Sequence, residues 1–357
     1  MSPARRKAGR RMLPFTGRRS ERNGGGPVVL PDIDADRCLL GGPLPMDCDK
    51  CQDACPHGAI VQDEDSLGID TQACTGCGLC QPACPQAAVA VLGELPRHGD
   101  GALAVCGKAG TRTKATLPCV HAIDLAMLAA MHARGVRRLE IHAGDCDGCA
   151  WGGGENFTAR MGLFNRMMTS RGLAGVEVTR PAALSAHWRH AGGGDRPDPS
   201  RRRFLLAAAG QSVADTPPRR QALVDLLASS PSSADAGAVC QAVPQIDEAA
   251  CSGCDLCARV CPEGAIGLAT GREGAAEYVL RPDACSGCGL CAAVCDSNAI
   301  GIDMAGTGKD VRIGLDRLTC AACGAGFHRP GRSASRSRLC PTCQKTNHHA
   351  KLFQVMP

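Results

Sequence analysis

The sequence predicts an α+β protein in which two similar cysteine-rich units flank a small α/β element, with a cysteine-knuckle module at the C-terminus and a basic, disordered N-terminal tail. Three observations carry this. Residues 27–95 and 246–305 repeat one pattern of closely spaced cysteines, and residues 100–190 alternate strand-like and helix-like runs. The third is composition: 25 cysteines in 357 residues, with only 3% aromatic side chains against 44% hydrophobic ones. Large rings therefore supply little of any core, and bound centres are expected to hold parts of the chain together.

Two uses of so many cysteines compete, a secreted disulfide framework and metal or cluster ligation in a reducing compartment. Most of them fall in tight runs with two or three intervening residues, which suits convergence on one inorganic centre better than bridging distant loops. An odd total also fits complete disulfide pairing poorly. No run approaches the roughly 18–20 apolar residues of a membrane span, and the N-terminus has arginines without the apolar stretch of a secretory signal. The expectation is a soluble, cytoplasmic protein.

In chain order, residues 1–26 form the tail, with Arg5, Arg6, Lys7, Arg10, Arg11, Arg18, Arg19 and Arg22 against Glu21 alone. Such a charge run reads as a solvated segment. Residues 27–95 are the first cysteine-rich unit. Residues 100–190 follow as the α/β element: ALAVC, the helix-like HAIDLAMLAAMHARG, the strand-like RRLEIHAG, the helix-like NFTARMGLFNRMMTSRG and VEVTR. Residues 191–245, rich in Gly, Pro, Ser and Ala, read as a linker with short helices. Within it SRRRFLLAAAG, residues 200–210, resembles a twin-arginine export signal, but its position deep in the chain favours a basic helix start. Residues 246–305 are the second unit, and residues 312–357 the terminal module.

The clearest run is Cys74, Cys77, Cys80, Cys84 and Pro85, written CTGCGLCQPACP. Cys251, Cys254, Cys257, Cys261 and Pro262 repeat it, and Cys285, Cys288, Cys291 and Cys295 repeat it again with Asp296 in place of the proline. Thiolates two residues apart on a tight loop reach three metals of one centre, while Gly76, Gly78, Gly253 and Gly287 let the backbone come close. A fourth run, Cys38, Cys48, Cys51, Cys55 and Pro56, has an enlarged first gap, LLGGPLPMD. A loop with two glycines and two prolines is able to bulge outward and still bring its ends together.

These runs resemble the bacterial-type two-cluster (dicluster) ferredoxin family, duplicated as in polyferredoxins, over about two fifths of the chain. The resemblance implies ferredoxin-like units holding four 4Fe-4S clusters, with the fourth cysteine of each run serving the neighbouring cluster. Carried over, it groups Cys251, Cys254, Cys257 and Cys295; Cys285, Cys288, Cys291 and Cys261; Cys74, Cys77, Cys80 and Cys55; and Cys38, Cys48, Cys51 and Cys84. Full cysteine ligation leaves no open iron for substrate, which implies one-electron transfer rather than catalysis. Four such clusters, at roughly −2 each, carry the formal +5 to about −3, so the basic pI is no argument for nucleic acid.

The α/β element has its own four cysteines, Cys106, Cys119, Cys146 and Cys149, the last two in GDCDGCAWGGG, near strand ends where loops of a parallel sheet converge. The arrangement is similar to thioredoxin-like 2Fe-2S ferredoxins and to the delta subunit of hydrogenase, either of which implies a 2Fe-2S centre. Zinc and free or redox-active thiols stay open beside it.

Near the end, Cys320 and Cys323 in LTCAACG and Cys340 and Cys343 in LCPTC give two knuckles that close a tetrahedron, resembling a zinc ribbon or rubredoxin, with zinc or a single iron as the metal. His328, His348 and His349 read as surface residues, since four cysteines already fill that site. Arg329, Arg332, Arg336, Arg338 and Lys345 surround it, but with few aromatics for stacking the segment points to structure or protein docking rather than nucleic acid. Cys240 stands alone in the linker as an incidental thiol.

With no Rossmann, P-loop, nucleophile-elbow or paired-carboxylate motif, no active site is expected. The reading is an electron carrier, or an electron-transfer subunit of a larger oxidoreductase, serving a redox partner such as a reductase, dehydrogenase or hydrogenase. The alternative is an accessory or maturation factor for a redox enzyme.

Overall fold

A computed structural model describes residues 20–22, 25–41, 46–63, 66–110, 113, 115–151, 156–185, 188, 219–229, 237–271 and 275–346. Most of the basic tail, the SRRRFLLAAAG segment, His348 and His349 lie outside the described residues. Where the tail ends, Ser20–Arg22 pairs antiparallel with Gly25–Val28. Chain content is mixed helix and strand, as expected.

The cysteine-rich units share one plan. In the first, Asp32–Ile33 pairs antiparallel with Val89–Ala90 and Ile60–Asp63 with Ser66–Ile69. In the second, Ala242–Ile246 pairs with Ile300–Met304 and Ile266–Thr270 with Ala276–Leu280, again antiparallel. The cysteine runs occupy the loops between these strands and continue into short helices, Lys50–Asp53, Cys80–Ala83, Leu256–Val260 and Leu290–Ala293. None of these helices exceeds five residues. Isolated helices of that length are unstable, so their positions depend on what they pack against. Each unit's two helices pack on one another.

Between the units lies a five-stranded sheet ordered Glu177–Thr179, Arg138–His142, Gly101–Cys106, Arg97–His98, with Thr116–Leu117 also on Gly101–Cys106. All its pairings are parallel except that of Arg97–His98. Gly101–Cys106 is covered on both faces, which explains its unbroken apolar sequence. Ala102, Ala104 and Cys106 join the main core, while Leu103 and Val105 face Trp188 on the other side. Helices Leu125–Ala133 and Asn156–Thr169 fill the main core with Met127, Met131, Met161, Met167, Met168, Phe157 and Phe164. Flexible methionine thus replaces the missing aromatic bulk. Asp124 caps the first helix by accepting from the Met127 N–H at 2.8 Å, and Gly135, at φ 85°, ends it.

Within residues 191–245, read from the sequence as a linker with short helices, Gln221–Ala228 is a helix whose Leu223 and Leu227 are buried in the central core, and strand Ala242–Ile246 begins before residue 246. The terminal module is also not free-standing. Val311–Thr319 pairs with Ala276–Leu280 of the second unit and with Gly326–Pro330, making one four-stranded sheet.

Arginines fasten the parts together. Arg219 donates to the Val89 carbonyl at 2.9 Å and pairs with Asp124 at 2.9 Å, joining the first unit to the central element. Arg171, with a fully buried side chain, donates to the Val239 carbonyl at 2.7 Å and pairs with Asp283, joining that element to the second unit. Cys240 is accordingly no surface bystander. It is 1% exposed and sits between Arg171 and Asp283, and burial and the Asp283 charge push its thiol up to about 11. Among the described residues no helix is long and apolar enough to cross a membrane.

Candidate metal centres

The antiparallel pairs of the second unit bring its eight motif cysteines into two groups. Cys251, Cys254, Cys257 and Cys295 line one cavity, beside Tyr278, Asp255 and Ser297. Cys261, Cys285, Cys288 and Cys291 line another, beside Glu263 and Ser286. In each, three cysteines come from one run and the fourth from the other. That crossing follows from the helix that opens inside each run and carries its last cysteine towards the neighbouring loop.

The first unit repeats the arrangement. Cys38, Cys48, Cys51 and Cys84 line one cavity. Despite the nine-residue gap, the loop's ends return together, helped by the Met46 N–H donating to the Leu39 carbonyl at 3.4 Å. Cys74, Cys77 and Cys80 are buried, Cys55 packs against Cys74, and the charges of Cys77, Cys51, Cys55 and Cys74 all act on Cys80.

Burial and mutual proximity hold several of these thiols in their neutral form. Burial, reinforced by the neighbouring cysteines, pushes Cys51, Cys257 and Cys291 up to about 12 and raises Cys80 further. The backbone works in the opposite sense: the N–H groups of Ala59, Ala88 and Ala299 donate to the sulfurs of Cys55, Cys84 and Cys295 at 3.2–3.3 Å. Close approach of the loops is enforced where glycine is indispensable. A methyl at Gly253, at φ 74°, would lie 1.9 Å from the His328 carbonyl oxygen, and one at Gly78, at φ 81°, 2.9 Å from Ala122 Cβ. Four sulfurs around an enclosed space, held by donor-rich backbone, fit a thiophilic anionic cluster of net positive core.

The central element brings together all four of its cysteines. Cys106, Cys119, Cys146 and Cys149 line one cavity with Lys108, His121, Asp145 and Trp151. A hydrogen bond from the Cys119 thiol draws Cys106 down to about 6, and Cys119 is correspondingly raised. The Cys77 charge also acts on Cys119, so this site abuts the first unit. His121 is 3% exposed; its Nδ1 accepts from the Phe157 N–H at 3.3 Å, and its buried Nε2 has no protein partner. An unpaired buried donor on the wall of a four-sulfur cavity fits a bound anionic group. No local spacing signalled His121.

In the terminal module, one sulfur each from Cys320, Cys323, Cys340 and Cys343 lies within 4.8 Å of the other three. Backbone N–H groups of Cys323 and Cys340 draw Cys320 down to about 6, as expected of a thiolate ligand. His328 stays out of this group. It is only partly exposed and binds Asp255 at 2.7 Å, the same carboxylate that accepts from the buried Tyr278 hydroxyl at 2.7 Å. The expected surface histidine is therefore a tie between the module and the Cys254 loop, made possible by the shared sheet. Substituting Cys343 by serine is expected to abolish tight binding of one metal ion per chain, measured by metal analysis after dialysis against a mild chelator. Unchanged metal content would overturn the site.

With twelve motif cysteines lining three cavities in fours and four more close together in the first unit, the two units have the donor set of an iron–sulfur protein. A family model described as a 4Fe-4S dicluster domain matches residues 46–88 and again residues 250–299. The first match opens after Cys38 and the second takes in both runs of the second unit. No curated protein matches the chain.

Proposed function

We propose that this chain is a polyferredoxin-like relay that binds four 4Fe-4S clusters and passes single electrons to or from a partner redox enzyme. The observation that carries this is the crossed convergence of cysteines, seen as three four-cysteine cavities and a fourth buried group built on the same plan. The ligand sets are Cys38, Cys48, Cys51 and Cys84; Cys74, Cys77, Cys80 and Cys55; Cys251, Cys254, Cys257 and Cys295; and Cys261, Cys285, Cys288 and Cys291. A bound 4Fe-4S cluster supplies reversible one-electron chemistry.

The chain's own residues hold it, exclude water and set its charge environment. Tyr278 and Ala299 line one cavity, and Pro262, Ala265 and Ile302 the next. The backbone N–H groups of Ala59, Ala88 and Ala299, which donate to the sulfurs of Cys55, Cys84 and Cys295, stabilise added negative charge. Cys106, Cys119, Cys146 and Cys149 add a fifth site, suited to a 2Fe-2S centre, and the terminal module takes zinc or one iron in a structural role. The units 27–95 and 246–305 are the electron-carrying domains, and the partner is a redox protein.

The test is anaerobic reconstitution of the full chain with iron and sulfide, followed by iron analysis and EPR of the reduced protein. Roughly sixteen irons in cubane form, with low-potential EPR signals, are expected. A reconstituted chain holding about four irons or fewer would overturn the proposal.

A further inference from the structure

The two cysteine-rich units touch along a small polar seam whose residues all border a candidate ligand in sequence. Gln86 follows Cys84 and Pro85 and lines the cavity of Cys38, Cys48, Cys51 and Cys84. Ser286 follows Cys285 and Glu263 follows Cys261 and Pro262; both line the cavity of Cys261, Cys285, Cys288 and Cys291. Gln86 Nε2 donates to Ser286 Oγ at 2.8 Å, with the two residues 1% and 3% exposed. One hydrogen bond between residues 200 apart thus runs from one cavity wall to the other.

Arg37, which precedes Cys38, clamps this contact from the side. Its Nη2 pairs with Glu263 at 2.7 Å and its Nε donates to the Gln86 carbonyl at 3.0 Å. Arg220, 4% exposed, lies 3.8 Å from Glu263 and donates to the Cys285 carbonyl at 2.7 Å. A seam that served adhesion alone would be cheaper if apolar, because buried ion pairs lose much of their attraction to desolvation. Paired polar groups instead fix one register, and here the register places two four-cysteine cavities side by side.

We propose that this seam is the electronic junction of the molecule. It makes the Cys38 and Cys261 centres neighbours, so that two dicluster units work as one line with the Cys74 and Cys251 groups on its outer sides. One electron leaves one centre and enters the next; no bond forms or breaks, and the only co-reactants are the redox proteins at either end. Arg37, Gln86, Glu263 and Ser286 are positioning residues. The inference rests on the cluster ligation proposed above.

Its test uses the full chain carrying C77A and C254A, which removes one centre from each unit and leaves the two that flank the seam. After reconstitution this variant is expected to hold roughly eight cubane irons, and its reduced EPR spectrum to show magnetic coupling between two centres that lie in different units. Adding R37E, which sets two carboxylates against each other, is expected to abolish the coupling with the iron content unchanged, whereas R37K retains it. A spectrum that is a plain sum of two isolated signals at roughly eight irons, or coupling indifferent to R37E, would overturn the junction and leave the ligation standing. Wild-type protein with about four irons or fewer would remove both.

Discussion

Stripping iron from the loaded protein is expected to unfold both dicluster units while the central α/β core survives. The small cores of those units are made largely of the cysteines themselves: Cys51 and Cys80 share one with Ile60 and Val89, and Cys257 and Cys291 share another with Ile266. Without the clusters these side chains lose the centre they converge on, and walls deprived of what they pack against lose both contacts and transfer free energy. Metal binding in small thiolate domains contributes on the order of 10 kcal/mol to folding, comparable with the whole net stability of a domain. The central element has an independent core from Ala102 to Leu227. Chelation under reducing conditions should therefore leave the helical circular dichroism of Leu125–Ala133 and Asn156–Thr169 and a single remaining melting transition. An iron-free chain that melts like the loaded one would refute this.

The same thiols give the pH dependence its sign. Cys51, Cys257 and Cys291 rise from 9.0 to about 12 in the folded, iron-free chain, through burial first and neighbouring cysteines second. The folded form then binds more protons than the unfolded one. Because the iron-free units are expected to unfold, this acts only on the fraction of them that stays folded, whose stabilisation is full below pH 9 and disappears as pH climbs towards 12. Iron binding requires the opposite protonation state, so loading releases protons near neutral pH and is favoured as pH rises. Proton release during reconstitution in weak buffer, read with an indicator dye, measures this directly.

How far the sequence disclosed this molecule depends on the distance over which each feature is encoded. Runs such as Cys74 to Cys84 are local, and a loop of that length can fold around only one or two centres, so the spacing already implied the chemistry. The central strands were legible for a similar reason: ALAVC is apolar at every position because both faces of Gly101–Cys106 are covered. The seam was not legible, because Arg37 and Glu263 are 226 residues apart and neither departs from an ordinary surface charge in its own neighbourhood. Cys240 looked incidental for the same reason, its partners Arg171 and Asp283 lying far away on either side. His328 was misplaced because the strand that carries it was taken for part of a separate module, whereas Val311–Thr319 pairs across to Ala276–Leu280 and draws it to Asp255.

Crossed ligation in the first unit makes a prediction that simple iron counting can decide, and it tests the enlarged gap at the same time. Cys84 belongs by sequence to the run of Cys74, Cys77 and Cys80 but lines the cavity of Cys38, Cys48 and Cys51. Cys55 belongs to the other run and packs against Cys74. Residues acting on one centre are non-additive, whereas residues on separate centres add. C84A and C38A should each remove about four irons, and the double variant C84A/C38A no more than either alone. C55A/C38A, by contrast, should remove about eight, because its two substitutions fall on different clusters. Under linear ligation, with Cys84 completing its own run, the two doubles would exchange behaviours. If C38A alone cost nothing, the loop between Cys38 and Cys48 would have to be withdrawn from the site, even though its ends meet at the cavity wall.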